Sequence, residues 1–159
     1  MADLSEEYRN VSSGAGWRLA RPRGRLQIAG RDAGSFLQAL VTADVLAVPP
    51  GGGAYAVYLT PQGRMISDLS LYRRDDSWLA DLPPGLATPL LGRLDGLIFS
   101  EDVRVADVSD STGLVSVVGA QAAEVVGRAV GIDAAQLTAL PLRATVHMDE
   151  VIVARTDAA

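Results

Sequence analysis

The 159-residue chain contains no cysteine and no lysine, and its one histidine is His147. Without cysteine there is no disulfide, no thiolate nucleophile and no thiolate ligand for zinc or an iron–sulfur cluster. Without lysine, Schiff-base chemistry through a protein amine and a Walker-type phosphate loop are both excluded. A single histidine offers no zinc-binding cluster and argues against a Ser–His catalytic pair within the chain. All 14 basic residues are arginine, and 19 acidic residues set the net charge at −5, which argues against a surface that grips nucleic acid. No apolar run reaches membrane-spanning length, and the acidic, polar start MADLSEEYRN is unlike a signal peptide. The expectation is a soluble, cytoplasmic protein with no membrane partner.

What is present suffices for one domain of ordinary size, since 48% of residues are hydrophobic. Residues 1–17, with the stretch SSGAG, read as a loosely held arm. LQIAG (26–30) is a strand candidate. Asp32 follows as an N-cap for a helix whose apolar stripe is Ala33, Phe36, Leu37, Leu40 and Val41. That helix should fade over 44–48 and stop at Pro49-Pro50. Strands at 54–60 and 65–73 are joined by PQGR (61–64), whose proline and glycine carry turn chemistry, and a third strand is expected at 77–82. Pro83-Pro84 open a helix with Leu86, Leu90, Leu91, Leu94 and Leu97 in register. Strands at 103–109 and 114–119, a helix at 122–130 and a hairpin of 142–148 with 150–156 complete the chain. Helices set between antiparallel hairpins predict an α+β fold, with mixed or antiparallel sheets and helices packed on one face.

The ordered set FLQ…VTADV (36–45), Gly53 with Tyr55, TPQGR (60–64) and Ile66-Ser67-Asp68-Leu69 resembles the folate-binding amino-terminal region of the glycine cleavage T-protein (aminomethyltransferase) superfamily. LIFSEDVRVAD (97–107) and VSVVG (115–119) keep the same spacing. The closer likeness is to the YgfZ-type branch, folate-dependent proteins that maintain iron–sulfur enzymes. The resemblance spans about 18–155. It implies a partial aminomethyltransferase-like folate-binding fold with tetrahydrofolate as cofactor. Members of that family are roughly twice as long, and the KGCYxGQE signature of the YgfZ-type branch needs Lys and Cys, which this chain lacks. Residues 18–159 therefore read as the family's front half. Besides a folate ligand, the expected partners are a complementary half or a second copy of the chain. Three roles follow: folate-linked support of iron–sulfur enzymes, a non-enzymatic scaffold or docking module, or part of an aminomethyltransferase.

The resemblance also distributes roles. Asp68 matches the aspartate placed beside the folate's reactive nitrogens, where a carboxylate can hold or shuttle a proton; it is the one candidate catalytic residue. Ser67 stands where T-proteins usually carry a second aspartate. Tyr55 matches a folate-lining tyrosine, and Tyr58, read as sharing its face, is the second aromatic candidate. Arg64, in the hairpin turn, is a candidate for the folate's glutamate tail, since guanidinium and carboxylate pair bidentately. Each also has a plain structural reading: a wet-face aspartate, core-packing tyrosines, a solvated turn arginine.

Outside the resemblance, Arg18, Arg21, Arg23, Arg25 and Arg31 form a stretch with no acid before Asp32, read chiefly as a solvated basic edge. His147, in an alternating strand, reads as structural or exposed. The pairs Asp75-Asp76 and Glu101-Asp102 read as turn residues, and no metal site is expected.

Overall fold

The structure, a computed structural model, describes residues 4–19, 23–148 and 150–157. The first elements in chain order are α1 (Leu4–Ser13), β1 (Gly16–Leu19), β2 (Gly24–Ala29) and α2 (Ala33–Leu40). A meander follows, β3 (Gly53–Leu59), β4 (Met65–Arg73) and β5 (Ser77–Leu82), and then α3 (Ala87–Asp95). The remainder is β6 (Arg104–Asp107), β7 (Val115–Val118), α4 (Ala122–Val130), α5 (Ala134–Ala139), β8 (Thr145–Met148) and β9 (Val151–Ala154). Five strands make the main sheet in the order β3-β4-β5-β2-β6, every neighbour antiparallel. Two short ribbons, β1 with β7 and β8 with β9, stand beside it.

Alternation along β4 separates the two faces of this sheet. Ser67, Leu69 and Leu71 are buried, whereas Asp68, Ser70 and Tyr72 are half-buried on the other side. On the inner face, Phe36 and Leu37 of α2 and Leu90 and Leu94 of α3 join Leu26, Ile28, Leu71 and Leu82 in one core. Each such side chain contributes about 1.5–3 kcal/mol when taken fully out of water. The α+β architecture with α2 and α3 on one face is therefore the one expected from sequence. The opposite face carries a row of polar side chains, and the candidate site lies there.

Several local expectations give way to tertiary contacts. The segment read as a loosely held arm is helical over Leu4–Ser13, and Gly16–Leu19 pairs with β7. Val11 of α1 seals this arrangement, since a β-carbon on Gly16 would meet its Cγ2 at 2.8 Å. α2 ends at Leu40 rather than running on: Val41 turns extended (φ −117°, ψ 163°) and bridges to Tyr58. Asp32 does not cap α2 with its side chain; its carboxylate instead accepts the Asp102 N–H at 2.8 Å. α3 starts four residues after Pro83, past the left-handed Gly85 (φ +78°), and Leu97 falls beyond its end. α5 had no expectation, although Asp133 caps it by accepting the Ala135 N–H at 2.7 Å.

Candidate functional site

Cross-strand register builds the site. Tyr55 on β3 faces Ser70 on β4, Ser70 faces Asp81 on β5, and Asp81 faces Arg25 on β2. This polar row crosses four strands on the face away from α2 and α3. Asp68 stands opposite Val57, one step diagonally from Tyr55, which puts the two side chains within reach on one face. The Tyr55 hydroxyl donates to Asp68 Oδ2 at 3.1 Å. Tyr55 is 51% exposed, so the pair sits at the surface of a half-covered sheet rather than inside the core.

Arg143 reaches this face from the turn before β8. Its guanidinium carbon lies 5.3 Å from the centroid of the Tyr55 ring, a cation–π contact. Among the described residues Arg143 is the only non-glycine with positive φ, at 68°. Its backbone N–H donates to the Arg155 carbonyl at 2.7 Å, and its Nη2 is 3.6 Å from the exposed Asp157 carboxylate. Gly53 makes this approach possible, because a β-carbon there would lie 2.7 Å from the Arg143 carbonyl oxygen.

Charge on the face follows from burial and neighbours. Partial desolvation holds the Tyr55 hydroxyl above its ordinary pKa, and the hydrogen bond to Asp68 and that carboxylate's charge add to it, against the pull of Arg143. Tyr72 is raised chiefly by burial and then by the charge of Asp81. Burial likewise pushes Asp81 above the usual carboxylate range, opposed by Arg23, whose Nε donates to Asp81 Oδ2 at 2.6 Å. The other oxygen, Asp81 Oδ1, is buried with no partner among the described residues.

The structure brings together two of the four residues singled out for ligand contact. Tyr58 does not share a face with Tyr55. Residues three apart on a strand project oppositely, and Tyr58, 7% exposed, packs in the core. Arg64 is exposed at the tip of the β3–β4 hairpin, where Thr60 N–H donates to its carbonyl at 2.8 Å. Among the described residues no hydrogen bond or ion pair joins its side chain to Asp68 or Tyr55.

The arginine stretch disperses. Arg25 is buried and donates to the carbonyls of Ser109 and Thr112 and to the Thr112 hydroxyl; Arg23 pairs with Asp81. Arg18 and Arg31 are exposed, and Arg21 lies outside the described residues. His147 contacts the Thr145 hydroxyl at 3.1 Å, a structural contact in the hairpin. Glu101 accepts the N–H groups of Phe99 and Ser100, which lower its pKa, and Asp75 and Asp76 are exposed in a turn. Among the described residues no group of three His, Cys, Asp or Glu side chains could hold a metal ion, and no helix is long and apolar enough to cross a membrane. An open cleft of about 460 Å³ lies beside the β4–β5 turn between Arg31, Arg74, Asp76 and Trp78, and neither Tyr55 nor Asp68 lines it.

Sequence reasoning missed Arg143, Tyr72 and Asp81. Stepping by two from Asp68 reaches Ser70 and Tyr72, so the alternation carried a signal for Tyr72. Nothing local connects Arg143, 88 positions beyond Tyr55, to this face.

Comparison with known proteins gives the same architecture. The family model described as the GCVT N-terminal domain matches residues 1–157. An aminomethyltransferase of Bacillus velezensis is 27% identical over 163 residues, covering 98% of this chain and 43% of the relative. An iron-sulfur cluster assembly factor IBA57 homolog, mitochondrial, from Mycosarcoma maydis is 32% identical over 108 residues, 58% of this chain and 27% of the relative. The crystal structure of glycine cleavage system aminomethyltransferase T from Bartonella henselae superposes with a TM-score of 0.77 at 19% identity, over 91% of this chain and 39% of the other. The chain thus spans less than half the length of these relatives. Since the family model takes in nearly the whole chain and the sheet follows the aminomethyltransferase fold, the chain belongs to the GCVT N-terminal domain family.

Proposed function

We propose that the polar sheet face bearing Tyr55 and Asp68 is one wall of a tetrahydrofolate site. The observation that carries this reading is the Tyr55 hydroxyl donating to Asp68 Oδ2 on an uncovered, half-buried surface. A tetrahydrofolate presents ring N–H and amino donors on its pterin and a flat benzoyl ring beyond it. The face offers the matching groups: the Asp68 carboxylate and the aromatic rings of Tyr55 and Tyr72. The residues present therefore fit the cofactor. When bound, tetrahydrofolate would supply the nitrogen that carries a one-carbon unit. Asp68 holds or moves a proton at its carboxylate oxygens, and Tyr55 orients that carboxylate.

The fuller role follows the likeness to an iron-sulfur cluster assembly factor: support of iron–sulfur enzymes through a one-carbon folate, in the manner of the YgfZ-type branch. Aminomethyl transfer is the role suggested by the aminomethyltransferase relatives, and for a chain spanning 43% of one of them it calls on a complementary half.

Calorimetry with 5-formyltetrahydrofolate tests the site. Saturable binding is expected, weakened about tenfold or more in Asp68→Ala, the effect of removing a hydrogen-bonded charge. Undiminished binding in that variant, or none at high ligand concentration, overturns it.

A second reading, a docking module for a second copy or a complementary half, is favoured by the β1–β7 ribbon. Trp17, Leu19 and Val115 alternate onto one side of it and stand 72%, 70% and 55% exposed. Light scattering that shows a stable dimer without any folate binding would favour it over the folate site.

A further inference from the structure

We propose that Arg143 is an anion subsite of the Tyr55–Asp68 site, taking a carboxylate of the ligand; with the folate reading, on which this rests, that carboxylate belongs to the glutamyl tail.

Three independent features of Arg143 converge. First, its side chain is largely buried, 24% exposed, yet its guanidinium makes no hydrogen bond among the described residues. Its ion partner, Asp157, is 66% exposed at 3.6 Å, a separation at which a surface pair contributes little and is readily exchanged. Five N–H donors in a planar fork are thus positioned without being saturated, and a carboxylate is the group whose geometry matches them.

Second, the backbone carries strain to hold the side chain there. A non-glycine residue at φ 68° is uncommon, and such outliers gather where a side chain is held for a purpose. The conformation is fixed from both ends, by the N–H donated to Arg155 and by the carbonyl pressed against Gly53. Replacing Gly53 by any other residue would push this turn away.

Third, the neighbours define the ligand. The guanidinium lies 5.3 Å from the Tyr55 ring, and the Arg143 carbonyl and the Tyr72 ring crowd the same point beside Gly53. A ligand engaging the guanidinium while reaching Asp68 must carry a negative charge at one end and N–H donors at the other, with a flat ring system for the tyrosines. Folates have this polarity. Arg64, exposed at a hairpin tip, has no comparable preorganisation.

The test compares 5-formyltetrahydrofolate with its dimethyl ester, which keeps every ring but neutralises both carboxylates. In the wild-type chain the acid is expected to bind about tenfold more tightly than the ester, and Arg143→Met should erase that preference. Arg143→Lys should retain part of it. Asp157→Asn, which removes the competing carboxylate, should tighten the acid and leave the ester unchanged. Equal affinities for acid and ester in the wild-type chain, or a preference that survives Arg143→Met, overturn the subsite while leaving folate binding in place. Absence of binding by either compound overturns both. Should Arg143→Met fail to fold, the acid–ester comparison and Asp157→Asn decide the matter.

Discussion

The carbonyl oxygen of Arg143 lies 2.7 Å from the point a β-carbon on Gly53 would occupy. This approach joins the turn before β8 to the edge of the main sheet and brings a guanidinium over Tyr55. Two further atoms crowd the same point, the Leu71 carbonyl oxygen at 2.7 Å and the Tyr72 ring at 2.9 Å. Backbone atoms cannot swing aside as a side chain can. Gly53→Ala is therefore expected to destabilise the fold by about 1–3 kcal/mol, the usual range for overpacking, read as a lowered urea midpoint. Unchanged stability would show that the hairpin is not pressed against β3.

Tyr55 is expected to ionise above the ordinary tyrosine value of about 10. Because the folded state favours the neutral hydroxyl, the interaction with Asp68 is fully present below that value and lost as pH rises through the raised one. Ultraviolet titration follows the transition, with Tyr55→Phe identifying its share of the signal. Asp68→Asn removes the carboxylate charge and should lower the Tyr55 pKa part of the way, leaving the shares due to desolvation and to the hydrogen bond that the asparagine carbonyl can still accept. Asp68→Ala, which removes the acceptor as well, should lower it further, and no difference between Asp68→Ala and wild type would remove the hydrogen bond from the account.

For Asp81 the pH dependence has the same sign on the acid side. Its folded pKa is raised by burial, so the folded chain binds the proton more readily than the unfolded one. The stability tied to the protonated carboxyl is complete below the unfolded value of about 3.9 and is lost as pH rises through the folded value. Asp81→Asn stays neutral throughout and keeps an acceptor for Arg23. The stability difference between variant and wild type should move in the variant's favour from acid to neutral pH. Urea midpoints at both pH values check this, and a constant difference would refute it.

Arg25 illustrates a charge absorbed by structure rather than offered to a partner. It is 7% exposed and fixes the segment after β6 through Ser109 and Thr112. Lysine cannot span those acceptors from one point charge. Arg25→Lys is expected to cost about 1.5–3 kcal/mol by denaturant unfolding, the range for a hydrogen bond to a charged group.

The elements legible in sequence are those whose pattern is local. Alternation marked β3, β4 and β5 to within a residue or two, and the Phe36–Leu37 stripe marked α2. The elements missed, α1, β1 and α5, are short and polar or owe their form to packing, as Gly16 does against Val11. Tyr58 was misplaced by a period error, since an odd step along a strand changes face. Asp32 looked like a helix cap, but a backbone N–H from 70 positions away reached its carboxylate.

By itself the sequence determined the chemistry this chain can offer and which strand residues share a side of the sheet, because side-chain identity and a two-residue period need no partner. Tertiary structure alone decided that Tyr55, Asp68, Asp81 and Arg143 stand together. Strand register and the contact of Gly53 with the turn before β8 join residues far apart in the chain, and neither leaves a trace in local pattern.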